Sequence, residues 1–373
     1  MKLSFLRPLY ARPGPWASVY LDASRDTEDA AAALDLRWRA LREELEHQGA
    51  ESATVAALDD VVRGHTPRPG DYGIAAFATG GRVVLADYLN APPRRDLAAY
   101  GRLPHTMPLV AQRGERVSWV RVLADRTGAE VDALSVGEAP RRSTVRGDEH
   151  HPIRRVQPGG WSQSRYQRAA RTAWERNAGD SAAATVELAE QVGAEVVVVA
   201  GDEQTRPLLI NALPERWRGR VVQTDAGFHA PGADPGALDD VTAQAIAEVA
   251  DAHTRAALDR FGAQEHVGDG LPAVVEALRR GQVDTMLIVD DPSSTERLWA
   301  GPAPDHLATS PGELRAVGVA DPAPVRADAA LVRALAGTDA SLVLIGPEQP
   351  IPDGGVGAVL RYVDQATPGS GPA

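Results

Sequence analysis

Cysteine is absent from the 373-residue chain, and lysine occurs once, at Lys2. Without a thiol there can be no disulfide, no thiolate metal site and no cysteine nucleophile, a composition that suits a reducing compartment. Long apolar runs are lacking as well: nothing approaches the ~20 consecutive apolar residues that a membrane-spanning helix needs. At the N-terminus, Arg7 and Pro8 interrupt the chain before the apolar core of a signal peptide could form. These absences predict a cytoplasmic protein with no membrane partner. Scarce lysine beside abundant Ala, Arg, Gly and Pro is the drift of a GC-rich genome, so the number of arginines says little. Their clustering says more, because a phosphate-binding footprint needs like charges on one face.

One cluster stands out. Arg141, Arg142, Arg146, Arg154, Arg155, Arg165, Arg168, Arg171 and Arg176 are opposed within 141–176 only by Asp148, Glu149 and Glu175. Nine against three leaves +6 there, so in a chain of net −12 the remainder carries −18. Inside the cluster lies Pro158-Gly159-Gly160-Trp161-Ser162-Gln163-Ser164-Arg165-Tyr166-Gln167-Arg168, with a glycine pair and an isolated glutamine at a loop-to-helix junction. The combination suits work on RNA. It makes Arg141, Arg142, Arg146, Arg154, Arg155, Arg165, Arg168 and Arg171 the candidate RNA-binding residues. For any one of Arg165, Arg168 and Arg171 a solvated helix face is the simpler account, whereas as a cluster they point to phosphate.

The length implies two or three domains. The first segment, 1–103, opens with a strand at Ala17–Leu21 and a helix from Asp26 or Thr27, on which Leu34, Trp38, Leu41 and Leu45 form one stripe. Two strands follow, Tyr72–Ala78 and Arg82–Ala86, joined at Gly80-Gly81. Pro92-Pro93 and Pro104 to Pro108 read as an exit into a linker. The second segment, 105–228, begins with a hairpin, Val117–Leu123 and Ala129–Leu134. From Ser135 to Gln163 it shows no periodicity, and a loop of that length points to function or disorder. A helix from about Gln163 to Val192 follows, with a break expected near Gly179. The run Glu195–Ala200 is a buried strand by its β-branched content, then come a helix (Glu203–Leu213) and a strand (Val221-Val222). The third segment, 236–373, alternates helices and strands: Asp239–Phe261, Leu271–Arg280, Thr285–Val289, Ala327–Ala336, Ser341–Ile345 and Gly357–Tyr362. That alternation predicts a second α/β layer.

The Gly-Gly-(Trp-Ser)-Gln-Ser segment, entering a helix with Arg165, Tyr166 and Arg168, resembles the archaeo-eukaryotic release factor and Pelota superfamily. Its middle domain carries a Gly-Gly-Gln-Ser loop before an Arg-aromatic-x-Arg helix. Gly281-Gln282-Val283-Asp284-Thr285-Met286-Leu287-Ile288 is similar to that superfamily's Gly-x-Val-Asp-Thr-Leu-Leu-Ile segment. Gly354-Gly355-Val356-Gly357-Ala358-Val359-Leu360-Arg361-Tyr362 is similar to its closing strand. The resemblance covers about 105–362 in the right order. It points to the bacterial, actinobacterial branch that includes Balon-like ribosome hibernation factors and proteins called release factors or peptidyl-tRNA hydrolases.

The resemblance implies an α/β protein of three domains. These would be an N-terminal α+β domain (1–103) facing the decoding region, a middle RNase-H-like α/β domain (105–228) reaching toward the peptidyl transferase centre, and a C-terminal α/β sandwich (236–373) related to kink-turn binders. The implied partners are the 70S ribosome through rRNA at the A site, P-site tRNA, and a translational GTPase such as elongation factor Tu. DNA, a small-molecule cofactor and a metal are not among them. Stop-codon reading in the eukaryotic factors relies on a lysine-containing loop, which a chain whose sole lysine is Lys2 does not have.

Whether Gln163 catalyses is left open between two readings. In release factors a narrow loop carries glutamine to the peptidyl ester, where it positions water and stabilises developing negative charge. Gly159 and Gly160 supply the permissive backbone, and Ser162-Gln163 is compatible with hydrolysis. Trp161 and Ser162, however, separate the glycines from the glutamine, and a bulky indole favours stacking on an RNA base, worth roughly 1–3 kcal/mol. Plugging of the A site by Gly159, Gly160, Trp161, Ser162 and Gln163 is therefore placed ahead of Gln163-dependent hydrolysis.

Other polar clusters have plainer explanations. Asp148-Glu149-His150-His151 offers metal-ligand types, but consecutive ligands rarely converge without a rigid scaffold. Asp290-Asp291 resembles the carboxylates of a metal-dependent nuclease on an RNase-H-like layer, whereas the following Pro292-Ser293 suggests an Asx turn. Gly201-Asp202-Glu203 sits where phosphate could bind, and its two acids favour helix capping instead.

Overall fold

The structure is a computed structural model. It describes the whole chain except residues 26–28, 136–139, 147–159, 227–235, 265–267, 347–348 and 364–373, and the side chains of 160–170. The chain divides into two compact units, one built from Met1–Glu115 with Thr254–Ala373 and the other from Arg116–His253.

The N-terminal part of the first unit contains α1 (Arg7–Tyr10), β1 (Trp16–Asp22), α2 (Ala30–His47), α3 (Ser52–Gly64), β2 (Gly73–Thr79), β3 (Arg82–Leu89), β4 (Leu97–Gly101) and α4 (Met107–Arg113). The strands form an antiparallel sheet in the order β3-β2-β1-β4. Successive side chains of a strand face opposite ways, and β1 uses both faces. Ala17, Val19 and Leu21 pack under the α2 stripe of Leu34, Trp38, Leu41 and Leu45, together with Val55 and Leu58 of α3. Trp16 and Tyr20 turn to a second core. Each large side chain fully buried in this way contributes about 1.5–3 kcal/mol. The β2–β3 turn falls at Gly80 and Gly81, with φ of 53° and 73°, the left-handed pair that a two-residue hairpin turn requires. The linker expected from Pro92 to Pro108 is instead structured: β4 pairs with β1, and Pro108 occupies the first turn of α4, where a missing N–H costs nothing.

In the second unit, β5 (Trp119–Asp125), β6 (Gly128–Leu134), β7 (Arg141–Arg146), α5 (Gly160–Val192), β8 (Val196–Gly201), α6 (Thr205–Ala212), α7 (Glu215–Arg218), β9 (Val221–Gln223) and the start of α8 (Ala237–Gly262) follow one another. The sheet order is β7-β6-β5-β8-β9, with β6 antiparallel to its neighbours and β5, β8 and β9 parallel. In order of appearance that is 3-2-1-4-5 with the second strand reversed, the strand order of an RNase-H-like layer. Val197 and Val199 of β8 face the core under α5, while Val196, Val198 and Ala200 face Leu238 and Ala245 of α8. A strand covered on both faces reads as an unbroken β-branched run, which is why β8 was visible in the sequence. Two expectations are corrected here. The region 135–163 holds strand β7, and α5 runs through Gly179 without a break.

The chain then returns to the first unit with α9 (Leu271–Arg279), β10 (Val283–Val289), β11 (Arg297–Ala300), β12 (Leu307–Ala308), α10 (Pro311–Ala316), β13 (Ala323–Arg326), α11 (Ala327–Gly337), β14 (Ser341–Ile345) and β15 (Val356–Leu360). β10 lies between parallel β14 and antiparallel β15, and β11 lies between β12 and β13 in a second small sheet. Helix α11 is buried almost all round, as expected of a helix enclosed by its own domain. One core joins Leu6, Leu9, Tyr20 and Phe77 to Leu278, Met286, Leu331 and Leu335, so both ends of the chain contribute to a single unit. Among the described residues, no helix is long and apolar enough to cross a membrane.

Candidate functional site

The candidate site lies at the start of α5. Gly160, Trp161, Ser162 and Gln163 occupy its first turn, so the helix begins three residues before the glutamine at which the sequence placed it. Gly159 lies outside the described residues, as do Arg154, Arg155 and the Asp148–His151 cluster; the side chains of Trp161, Gln163, Arg165 and Arg168 do too. The first backbone N–H groups of a helix have no partner within it, and its dipole is positive at that end. The opening turn can therefore present donors to a phosphate or a developing oxyanion.

The rest of α5 anchors that turn. Its described core contacts begin at Ala173 and continue through Ala178, Ala182, Ala189 and Val192. Three polar groups are buried along the same face, and each is satisfied. Asn177 donates through Nδ2 to the Arg126 carbonyl at 3.0 Å, Ser181 Oγ to the Asn177 carbonyl at 2.7 Å, and Thr185 Oγ1 to the Ser181 carbonyl at 2.7 Å. A 33-residue helix is roughly 50 Å long. The stretch from Asn177 to Val192 covers about the length of a seven-residue strand. Asn177 meets the β5–β6 turn, so among the described residues the sheet lies along the second half of α5.

Sequence proximity made the arginines look like one patch, and the fold separates them. Arg141 donates to Gln191 Oε1 at 3.1 Å, near the C-terminal end of α5. Arg168 is 23 residues earlier on that helix, roughly 35 Å away. Arg142 is engaged by Asp132, with Nε 2.7 Å from Oδ1. Burial alone would raise the Asp132 carboxyl, but hydrogen bonds from Arg142 and Arg121 outweigh it and hold the group below its ordinary range. Arg146, in contrast, pairs in register with Gly128 at the β5–β6 turn, the end of the sheet where Asn177 sits. Arg171 is exposed and shares only the solvent-facing Glu175, at 3.2 Å, a pair worth about 0–1 kcal/mol that leaves it available to a phosphate. Arg126, not singled out from the sequence, belongs to the same end: its guanidinium lies 4.9 Å from the Trp174 ring centre and 3.4 Å from Asp202. Its signal was its place in the Asp125–Gly128 turn.

The plainer explanations of Asp202 and Asp291 hold. Asp202 Oδ1 accepts the backbone N–H groups of Gln204 and Thr205 at 2.9 and 3.2 Å, ahead of α6. Asp291 Oδ1 accepts Ser293 N–H at 2.9 Å and Ser293 Oγ–H at 2.6 Å, and these bonds lower its pKa. Asp290 pairs with Arg94 at 2.9 Å, although burial raises its carboxyl. Both belong to the first unit, so they are not carboxylates of the RNase-H-like sheet, and the nuclease reading built on them is withdrawn. Among the described residues, no group of three His, Asp or Glu side chains could hold a metal ion.

The model of bacterial archaeo-eukaryotic release factor family 2 matches residues 118–266, which takes in the five-stranded sheet, α5 and α8. Two relatives from Mycobacterium tuberculosis, the uncharacterized proteins Rv2629 (strain H37Rv) and MT2704 (strain CDC 1551), are each 31% identical over 368 residues, covering 97% of both chains. The chain belongs to the bacterial archaeo-eukaryotic release factor family. Among solved structures it is similar to an archaeal translation termination factor, aRF1, at 15% identity and a TM-score of 0.25, covering 97% of this chain and 99% of that one. A structure titled as ribosome-bound archaeal Pelota and ABCE1 is 15% identical with a TM-score of 0.38, covering 97% and 94%.

Proposed function

We propose that this protein is a ribosome-binding translation factor. It occupies the A site, brings residues 158–164 toward the peptidyl transferase centre, and protects an idle ribosome in hibernation. The observation that carries the reading is the Gly-Gly-Trp-Ser-Gln segment at the head of a 33-residue helix that Asn177, Ala178, Ala182, Ala189 and Val192 anchor in the second unit. Family membership and the arginines of 141–176 support the same reading, with Arg146 and Arg171 as phosphate contacts and Arg165 and Arg168 closer to the tip. The bulky indole of Trp161, inserted in the sequence between the glycines and Gln163, favours stacking and plugging over delivery of water to an ester. A translational GTPase such as elongation factor Tu would deliver the protein, and P-site tRNA would be its neighbour.

The test is co-sedimentation of the purified protein with 70S ribosomes across a salt series. Binding carried by these four arginine–phosphate contacts weakens on the order of 10²-fold between 50 and 200 mM salt. Recovery only in the free fraction at low salt would end the proposal. The second reading, a Gln163-dependent peptidyl-tRNA hydrolase of stalled ribosomes, is favoured by Ser162-Gln163 at the helix start and predicts peptide release that disappears in Gln163→Ala.

A further inference from the structure

The first unit holds a cavity of about 840 Å³, enclosed by the connection between α1 and β1, the connection between β11 and β12, and the turn before β13. Arg333 of α11 lines it and is 5% exposed. Its Nη1 donates to the Gly301 carbonyl at 2.8 Å and its Nη2 to the His306 carbonyl at 3.3 Å, while Nε has no hydrogen-bond partner. A guanidinium carries five N–H donors and stays protonated in proteins, so three donors and a full charge remain. Among the described ion pairs no carboxylate compensates it; Asp305 acts only at longer range. Tyr10, on the same wall, is neutral, with burial raising its pKa and its hydroxyl hydrogen-bonded to Thr106 Oγ1 at 3.1 Å. A buried cation without a counter-ion is costly, and burial pushes the Arg333 pKa down from its usual value.

Two further arginines line the cavity. Arg102 is paired with Asp321, whereas Arg12 is exposed and makes no ion pair among the described residues. Three guanidiniums thus face one carboxylate, in a chain whose net charge is −12. Pro13, Pro302 and Pro304 give the remaining wall an apolar surface. The volume falls within the roughly 300–1,000 Å³ of small-molecule sites, which combine apolar walls with a few placed polar groups.

We infer that this cavity binds a phosphorylated small molecule of nucleotide size, with its phosphate neutralising the uncompensated Arg333 and held at the mouth by Arg12. The anion supplies the missing counter-charge, and the proline-lined wall takes the less polar part. An RNA strand is a poorer occupant, because its backbone calls for an exposed track of cations, not one buried charge at the inner wall of a cavity. The inference does not depend on ribosome binding: the cavity walls come entirely from the first unit.

The test is calorimetric titration of the full chain with pyrophosphate, ADP and a 12-nucleotide single-stranded RNA, with sulfate as the ion control. ADP and pyrophosphate should bind more tightly than sulfate. Arg12→Ala, a change at an exposed position that leaves the fold intact, should weaken both by about tenfold, the loss of one charge-assisted contact. Arg333→Lys, checked for folding by circular dichroism, keeps the charge but loses the planar donor set and should weaken both as well. The inference is overturned if ADP and pyrophosphate do not bind, if sulfate binds equally well, if Arg12→Ala matches the wild type, or if only the RNA binds.

Discussion

Gly179 offers the most direct test of α5 as one continuous rod. It sits mid-helix, half-exposed, and a Cβ built on it meets nothing within 4 Å. Glycine in a helix interior costs about 0.8–1 kcal/mol relative to alanine, chiefly through backbone entropy. With no clash to offset that gain, Gly179→Ala should stabilise the second unit by roughly 0.5–1 kcal/mol. That unit runs from Arg116 to His253, and for a domain of its size such a gain raises Tm by about 2–4 °C. Differential scanning calorimetry reads the shift. Hydrogen exchange over 171–192 localises it, because 1 kcal/mol slows exchange about fivefold where local opening controls the rate. Were the helix broken or hinged at Gly179, alanine would be strained there, and an unchanged or lowered Tm with faster exchange would refute the continuous helix.

Gly201, at the end of β8, should behave in the opposite way. It has φ of +118°, and an added Cβ would lie 1.9 Å from the Ala124 carbonyl oxygen, so Gly201→Ala should cost roughly 3 kcal/mol or more; a change in urea midpoint equivalent to less than about 1 kcal/mol would contradict the close β5–β8 approach. His105 is held in the first unit with Nδ1 3.9 Å from Asp328 Oδ2, near Arg326, and burial lowers its pKa below the ordinary histidine value. Since the unfolded chain then binds more protons, the His105 contribution is intact above about pH 6.5 and declines as pH falls through that value, by up to about 1.4 kcal/mol per unit. Urea unfolding at pH 7.5 and 5.5 should show that loss in the wild type and a flatter profile in His105→Gln; identical profiles would contradict it.

Elements with a strong local signature were legible in the sequence. The Leu34–Leu45 stripe of α2, the Gly80-Gly81 turn and the β-branched run of β8 each follow from a periodicity or a dihedral demand that a few residues specify on their own. Strand β7 was missed because an edge strand exposes its residues, four of its six side chains facing solvent and three of them arginines, so it has no apolar alternation to read. β4 was hidden between prolines, since its pairing with β1 depends on a partner about 80 residues away. β11, β12 and β13 have two to four residues each, too few for any period to register. At the candidate site, the Gly-Gly-Trp-Ser-Gln pattern was visible through its family resemblance. The dispersal of the arginines was not, because linear spacing does not reveal that the chain folds Arg141 back beside Gln191. The uncompensated Arg333 carried no sequence signal either; it lies in an alanine-rich helix whose burial only the tertiary structure defines.

On the proposed function, the Gly159–Gln163 segment plugs the A site without chemistry. That proposal is tested most directly with ribosomes carrying labelled peptidyl-tRNA in the P site, scored together for co-sedimentation and peptide release with wild type and Gln163→Ala. Plugging predicts that both proteins sediment with the ribosome and that the peptide stays on its tRNA. Release by the wild type that is lost in Gln163→Ala would contradict it and identify a hydrolase.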